Sequence, residues 1–426
     1  MSRHAEQSRA FLEAIRDDPD DDSHRLIFAD WLDDNGDPDR AEFIRAQCEL
    51  ARPLLAADRR AALQKRETEL LQAHRAAWLG PLHRVVTWEA DQFRRGFLEV
   101  MKVRPRTMID LADEFRARVP AAIVNLYGGF GAPALKALAT APGMEWVAGL
   151  RFEYPRMPES GLIQIGESAG LPRLTAITIQ GGAFTSGGLR TLFTSPHRQA
   201  LRRLSLDLSS FRNTADPDSA AELSNAEVTF RLQTLRLPWL QISTAGAVAF
   251  AGAEHLADLR ELGLAFNEIG DEGVLALARS PHLRNLTTFD LMRNQLTARA
   301  VQAFSESTLI DGIRHLTLSQ NKIGDDGARM LAACPRLGQL AFLELRSTGI
   351  TDAGVEALAA SPFLANLTEI DFGVNELSDR GSQALLDSPH LRRLERIHIG
   401  GQVVGEKLSP AQRKLWLKRL GKGARV

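Results

Sequence analysis

The chain has 426 residues, 44% hydrophobic and 25% charged, with 52 Lys/Arg against 53 Asp/Glu for a net charge of -1. That length suggests two or three ordinary domains and buries a core without staples, while two cysteines exclude a disulfide scaffold. The charge balance excludes a chain-wide polyanion binder.

The near-zero total hides an asymmetry. Residues 1–50 carry a net charge of -8, and residues 405–426 carry +6. The basic residues are 44 Arg and 8 Lys, a skew that points to a GC-rich, bacterial source. The N-terminus is polar and runs into acidic residues, so it lacks the apolar core of a secretory signal. No stretch reaches the roughly 18 apolar residues of a membrane span, and the expected location is the cytoplasm.

In chain order, the pattern predicts about three helices near 5–16, 23–34 and 38–77, the last broken at Pro53, in a helical module of residues 1–80. The run Asp33-Asp-Asn35-Gly-Asp37-Pro-Asp39 imitates the start of a calcium loop but has Pro38 where the turn needs Gly and Ile44 where a bidentate Glu belongs. It reads better as an Asn35-Gly36 turn with Asp37 capping a helix that Pro38 opens. Residues 81–104, around Phe93-Arg-Arg95-Gly96, are expected to form a hairpin or short strands that cap the front of a repeat domain.

That domain is periodic. The segments ending at Leu240, Asn267, Asn294, Asn321, Thr348, Asn375 and Gln402 each read apolar-x-apolar-x-x and then that residue, in steps of 27. The phase extends back to ends at 209, 182 and 155, less clearly to Gly129, for about eleven coils within residues 81–404. A polar insertion near 211–227 stretches one step to 31 residues and should loop out. Residues 405–426 form a basic helix with Ser409 as N-cap, Pro410 at its first position, and Leu408, Trp416 and Leu420 available to cover the last coil. The alternative for this helix is an acidic lipid or nucleic-acid ligand.

The pattern L-x-x-L-x-L-x-x-N-x-I-x-x-x-G-x-x-x-L-A from Leu259 to Ala278 resembles a leucine-rich repeat of the ribonuclease-inhibitor-like kind, over about three quarters of the chain. The block holding Phe11, Arg25 to Leu32 and Asp37 to Arg45 is similar to a repeat-companion domain that precedes such repeats in some bacterial proteins. The resemblance implies an α/β leucine-rich-repeat solenoid, a horseshoe with a parallel sheet on its concave face and helices on its convex face, behind a small all-α N-terminal domain. Strands stack at about 4.8 Å and helices at about 8–10 Å, which is why such a stack curves.

Chemistry is sparse. No phosphate loop, nucleophile elbow or metalloprotease helix is present. His282 and His390 recur because the repeat does, and Cys48 and Cys334 read as packed, reduced thiols. No catalytic, cofactor-binding or metal residue is assigned, and no cofactor, small-molecule substrate or enzymatic activity is expected.

The concave wall remains. One ladder just before the Asn, a second between the two core residues and a third just after them, which contributes Met292 and Arg346, select Leu208, Arg236, Trp239, Phe266, Asp290, Met292, Arg293, Glu344, Arg346 and Asp371. Apolar anchors beside a charged rim have the makeup of a protein-binding surface, provided the 211–227 loop does not cover Trp239 and Phe266. The expected function is a non-enzymatic scaffold for an unidentified protein partner, with a monomer favoured and nucleic acid or membrane disfavoured. Some ribonuclease-inhibitor-like repeat proteins activate small GTPases, so the alternative implied by the resemblance is regulation of a small GTPase.

Overall fold

The computed structural model describes residues 3–86, 92–128, 131–153, 158–181, 186–207, 221–222, 230–400 and 408–425. The chain divides into one unit comprising Met1–Gly182 with Pro196–Leu201, and a second comprising Ala183–Ser195 with Arg202–Val426.

The first unit begins with four helices, α1 (Arg3–Asp17), α2 (Asp22–Asp34), α3 (Pro38–Leu50) and α4 (Ala57–Leu79). The stretch expected as one broken helix is two, because Pro53 lacks an N–H and residues 51–56 connect rather than continue. Asp37 caps α3 by accepting the Arg40 N–H at 3.2 Å, with Pro38 as first helical residue and Gly36 at φ +87° completing the turn. Leu12, Ile15, Phe28, Ala29, Leu32, Ala41, Ile44 and Cys48 form the helical core, closed by Phe97 from the next element. Burial pushes the Cys48 thiol up to about 12, so it is a packing group rather than a nucleophile.

Next comes a hairpin, β1 (Gln92–Arg94) antiparallel to β2 (Phe97–Val103). Its turn sits on α3: a Cβ at Gly96 would lie 2.5 Å from Ile44 Cγ1, and the Gly96 N–H donates to Gln47 Oε1 at 2.6 Å. Arg40 lies among Trp78, Phe97, Phe43 and Phe93, 4.7 to 5.9 Å from their ring centroids, and burial lowers its pKa to about 10. From β2 the sheet continues in parallel through β3 (Ala122–Leu126), β4 (Val147–Glu153) and β5 (Ala176–Gln180). Arg16 of α1 donates to Pro120 O at 2.8 Å, tying the helical module to the chain entering β3.

In the second unit nine strands lie parallel and in chain order: β6 (Arg203–Asp207), β7 (Thr234–Arg236), β8 (Glu261–Gly263), β9 (Thr288–Asp290), β10 (His315–Thr317), β11 (Phe342–Glu344), β12 (Glu369–Asp371), β13 (Arg396–His398) and β14 (Ala424–Arg425). From β7 to β13 the register equals the sequence period, with Leu235 paired to Leu262, Leu262 to Phe289, and so on to Ile397. The insertion widens only the β6 to β7 step, where Leu204 pairs Leu235. A helix comes after most strands, including Gly270–Ala278, Ala298–Ser305, Gly324–Ala332, Asp352–Ala359 and Asp379–Asp387.

Two side-chain ladders join these coils. Asp271, Asp325 and Asp352 each accept both the amide and the hydroxyl of the helix-capping residue one coil on, at Thr297, Thr351 and Ser378. Asp325 and Asp352 also accept the amides of Gly354 and Gly381, so the recurrent Gly gives an aspartate of the preceding coil access to the backbone. Ser280, Ser361 and Ser388 donate to carbonyls of Ala251, Ala332 and Ala359. Cys334 stands in the same phase with its sulfur 3.6 Å from Ser305 O, which accounts for its burial.

The C-terminal helix, Pro410–Leu420, covers the last coil. Trp416 is fully buried with its indole N–H donating to Ser382 Oγ at 2.9 Å, and Arg419 donates to the carbonyls of Leu385, Leu386 and Leu391. Among the described residues no helix is long and apolar enough to cross a membrane.

Candidate functional site

The sheet face of the second unit is built by its asparagines. Asn321 is 3% exposed; its Oδ1 accepts the amides of Asn294 and Leu296, and its Nδ2 donates to Leu291, Leu318 and Ser319 carbonyls. Asn267, Asn294 and Asn375 repeat the arrangement, each reaching a carbonyl of the preceding coil: Leu237, Leu264 and Leu345. These bonds satisfy backbone groups that the turn removes from the sheet ladder.

The turn itself is left-handed. Trp239, Phe266, Arg293, Gln320, Ser347 and Val374, each just before a buried position that is polar in every coil but that of Leu240, have φ between 52° and 64°. Their ladder was expected on extended strand; it lies instead in the turn beyond each three-residue strand. The next side chain must point into the core to reach its carbonyls, and that requirement holds the preceding residue in a region most residue types avoid.

Two rings of this ladder stack. Trp239 and Phe266 have centroids 4.3 Å apart and planes 12° from parallel, and the Arg293 guanidinium lies 5.9 and 5.7 Å from them. Both aromatics are half-buried and Arg293 is exposed. Leu208 and most of the 211–227 insertion lie outside the described residues; its described Glu222 is held by Arg190 of the helix Ser186–Thr194.

The second ladder stays on the strands. Arg236 pairs with Glu261 and crosses Gly263, where a Cβ would stand 3.2 Å from Arg236 Cγ. Asp290 accepts the Met292 amide at 3.0 Å, and burial nevertheless pushes its pKa up. Glu344 accepts Ser319 Oγ at 2.9 Å; burial raises its pKa first, and the charges of Asp371 and Asp290 raise it further. Asp371 accepts the Gly373 amide at 2.7 Å and lies 2.9 Å from His398 Nδ1. The Arg346 amide donates to Ser319 Oγ, and its guanidinium would meet a side chain at position 373.

The structure thus gathers two groups from the expected residues. Trp239, Phe266 and Arg293 form one on the turns, and Asp290, Glu344 and Asp371 with Met292 and Arg346 form the other on and beside the strands. His398 and Ser319, which were not selected, bond directly to carboxylates of the second group; both stand in phase with chosen residues. Among the described residues no group of three or more His, Cys, Asp or Glu is arranged to hold a metal.

Comparison with known families matches the leucine-rich repeat model at residues 255–278, 282–305, 313–332 and 340–359. Among solved structures the chain is similar to an internalin from Listeria monocytogenes strain 4b F2365, at 17% identity and a TM-score of 0.43, over 75% of this chain and 92% of that one. None of the curated proteins matches. The repeats, the parallel sheet and the flanking helices make this an α/β leucine-rich-repeat solenoid.

Proposed function

We propose that the chain is a non-enzymatic scaffold that binds a protein partner on the sheet face of its second unit, which a curved stack makes the concave one. The observation that carries this reading is the Trp239–Phe266 stack with Arg293 over it, on the same sheet as the carboxylates of Asp290, Glu344 and Asp371 in the coils that follow. Aromatic anchors and arginine dominate protein interfaces because they bury much area in well-packed, desolvated pockets. Desolvated carboxylates beside them supply specificity more than affinity. Leucine-rich repeats generally serve protein–protein interaction, which supports the same reading.

The ribonuclease-inhibitor-like subtype, a companion role for residues 1–80, a bacterial source and a cytoplasmic location belong to this proposal. The test is capture from lysate of the source organism with wild type and with Trp239→Ala/Phe266→Ala. The expected outcome is loss of the captured protein from the double variant, by about 2 kcal/mol or more of affinity, with the circular dichroism spectrum unchanged. Equal capture by both proteins rejects the site.

A further inference from the structure

Among the described residues five large apolar side chains are exposed, and three of them stand on two helices of opposite charge. One is α2, where Ile27 is 54% exposed. At about 100° per residue, Ser23, Asp34, Asp30, Ile27, Trp31 and His24 occupy one arc of about 120°. Asp30 and Asp34 on that arc are exposed, as are Asp33 beside it and Asp20 just before the helix; Arg45 pairs with Asp30 and Asp33, and Arg95 with Asp20, so the carboxylates outnumber the arginines that reach them. Trp31 is half-buried, packed on Phe28 and Phe11 with the His4 ring 4.6 Å from its own, and its remaining exposed part lies beside Ile27. The other is the helix Pro410–Leu420, where Leu415 and Leu417 are 43% and 54% exposed. Lys414 and Lys418 are exposed between them on the face opposite the buried Trp416.

We infer that these two faces dock on each other between copies of this chain. An apolar patch rimmed by aspartate on one molecule meets an apolar pair flanking lysines on the next. The occupant of each face is a second copy because each supplies the charge that the other lacks, and each exposes apolar surface that water penalises. The contact joins unlike surfaces, so one docking event leaves one face of each kind open and growth continues head to tail. One helix face on each side makes a small interface, so the protein is monomeric when dilute and associates as concentration rises.

Sedimentation velocity on the full chain over a concentration series, at low and at high salt, tests this with Ile27→Asp and Leu417→Asp. The expected result is wild-type species that grow past the dimer with concentration and shrink in high salt. Each variant alone stays monomeric. Their equimolar mixture forms a dimer and nothing larger, because only one intact face of each kind remains. Both positions are exposed, and matching thermal melts check folding. A wild type that stays monomeric at every concentration overturns the proposal, as do single variants that associate like wild type. Monomeric protein that instead binds phosphatidylserine–phosphatidylcholine vesicles, and loses that binding in Leu417→Asp, also overturns it by assigning the helix to a lipid surface.

Discussion

Strands β3 to β6 run five to seven residues, whereas β7 to β12 each stop at three. The coils of β3 to β6 end in Gly129, Pro155, Gly182 and Ser209, with no asparagine. In the later coils, Asn267, Asn294, Asn321 and Asn375 take carbonyls at fixed places and end the strand early. Leu240 is the instructive exception, because its turn is held from the next coil: Asn267 takes Leu237 O and accepts the Ile242 amide. The left-handed position differs in parallel. Among the described residues it is Gly128 and Gly181 in the first unit, but Trp239, Phe266, Arg293, Gln320, Ser347 and Val374 in the second. Glycine makes this turn without support and without a side chain. Asparagine supplies the support, and the turn is then free to carry rings and charges.

That comparison can be broken most severely at Asn321. Replacing it with alanine strands two buried amides and the carbonyls of Leu291 and Leu318, while Ser319 O keeps the Arg293 amide, so Asn321→Ala should cost about 3–5 kcal/mol in chemical unfolding. A loss below about 1 kcal/mol would mean the ladder is ornamental. Val374 tests the other half, since a β-branched residue at φ 58° is strained. Val374→Gly should raise stability by about 1 kcal/mol, the released strain exceeding the entropy that glycine adds to the unfolded chain. At Thr348 the hydroxyl donates to Leu345 O, and among the described residues no amide donates to it. Thr348→Asn would restore the missing bonds to the coil before and should stabilise by about 1 kcal/mol.

The smallest expected effect concerns pH. Glu344 is raised in the folded state, chiefly by burial, so the folded protein holds more protons than the unfolded one just above the ordinary carboxylate range. Stability contributed by this group is therefore present at acid pH and falls as pH rises through that window. Glu344→Gln should flatten this slope in unfolding curves measured across it, and an unchanged slope would remove the residue from the account.

The period was legible because each coil must place its apolar pair in one core, and the strand register repeats the same 27-residue offset. The caps at Asp37 and Ser409 were legible too, since their chemistry is local. The left-handed ladder was not. Nothing in Trp239, Phe266 or Val374 favours positive φ, and local propensity places all three on a strand. Their conformation comes from asparagines that act across coils, some 30 residues away in sequence, as with Asn267 on Leu237 O. The site residues were legible as rows because the repeat fixes their phase; their geometry was not, because it depends on that cross-coil support.

Amide hydrogen exchange on Asn321→Ala tests the central claim, that the buried asparagines hold these turns. The amides of Asn294 and Leu296, which donate to Asn321 Oδ1, should lose protection, while those of Ile242 and Ile350, which donate to Asn267 and Asn375, should keep theirs. Unchanged protection at Asn294 and Leu296 would contradict it.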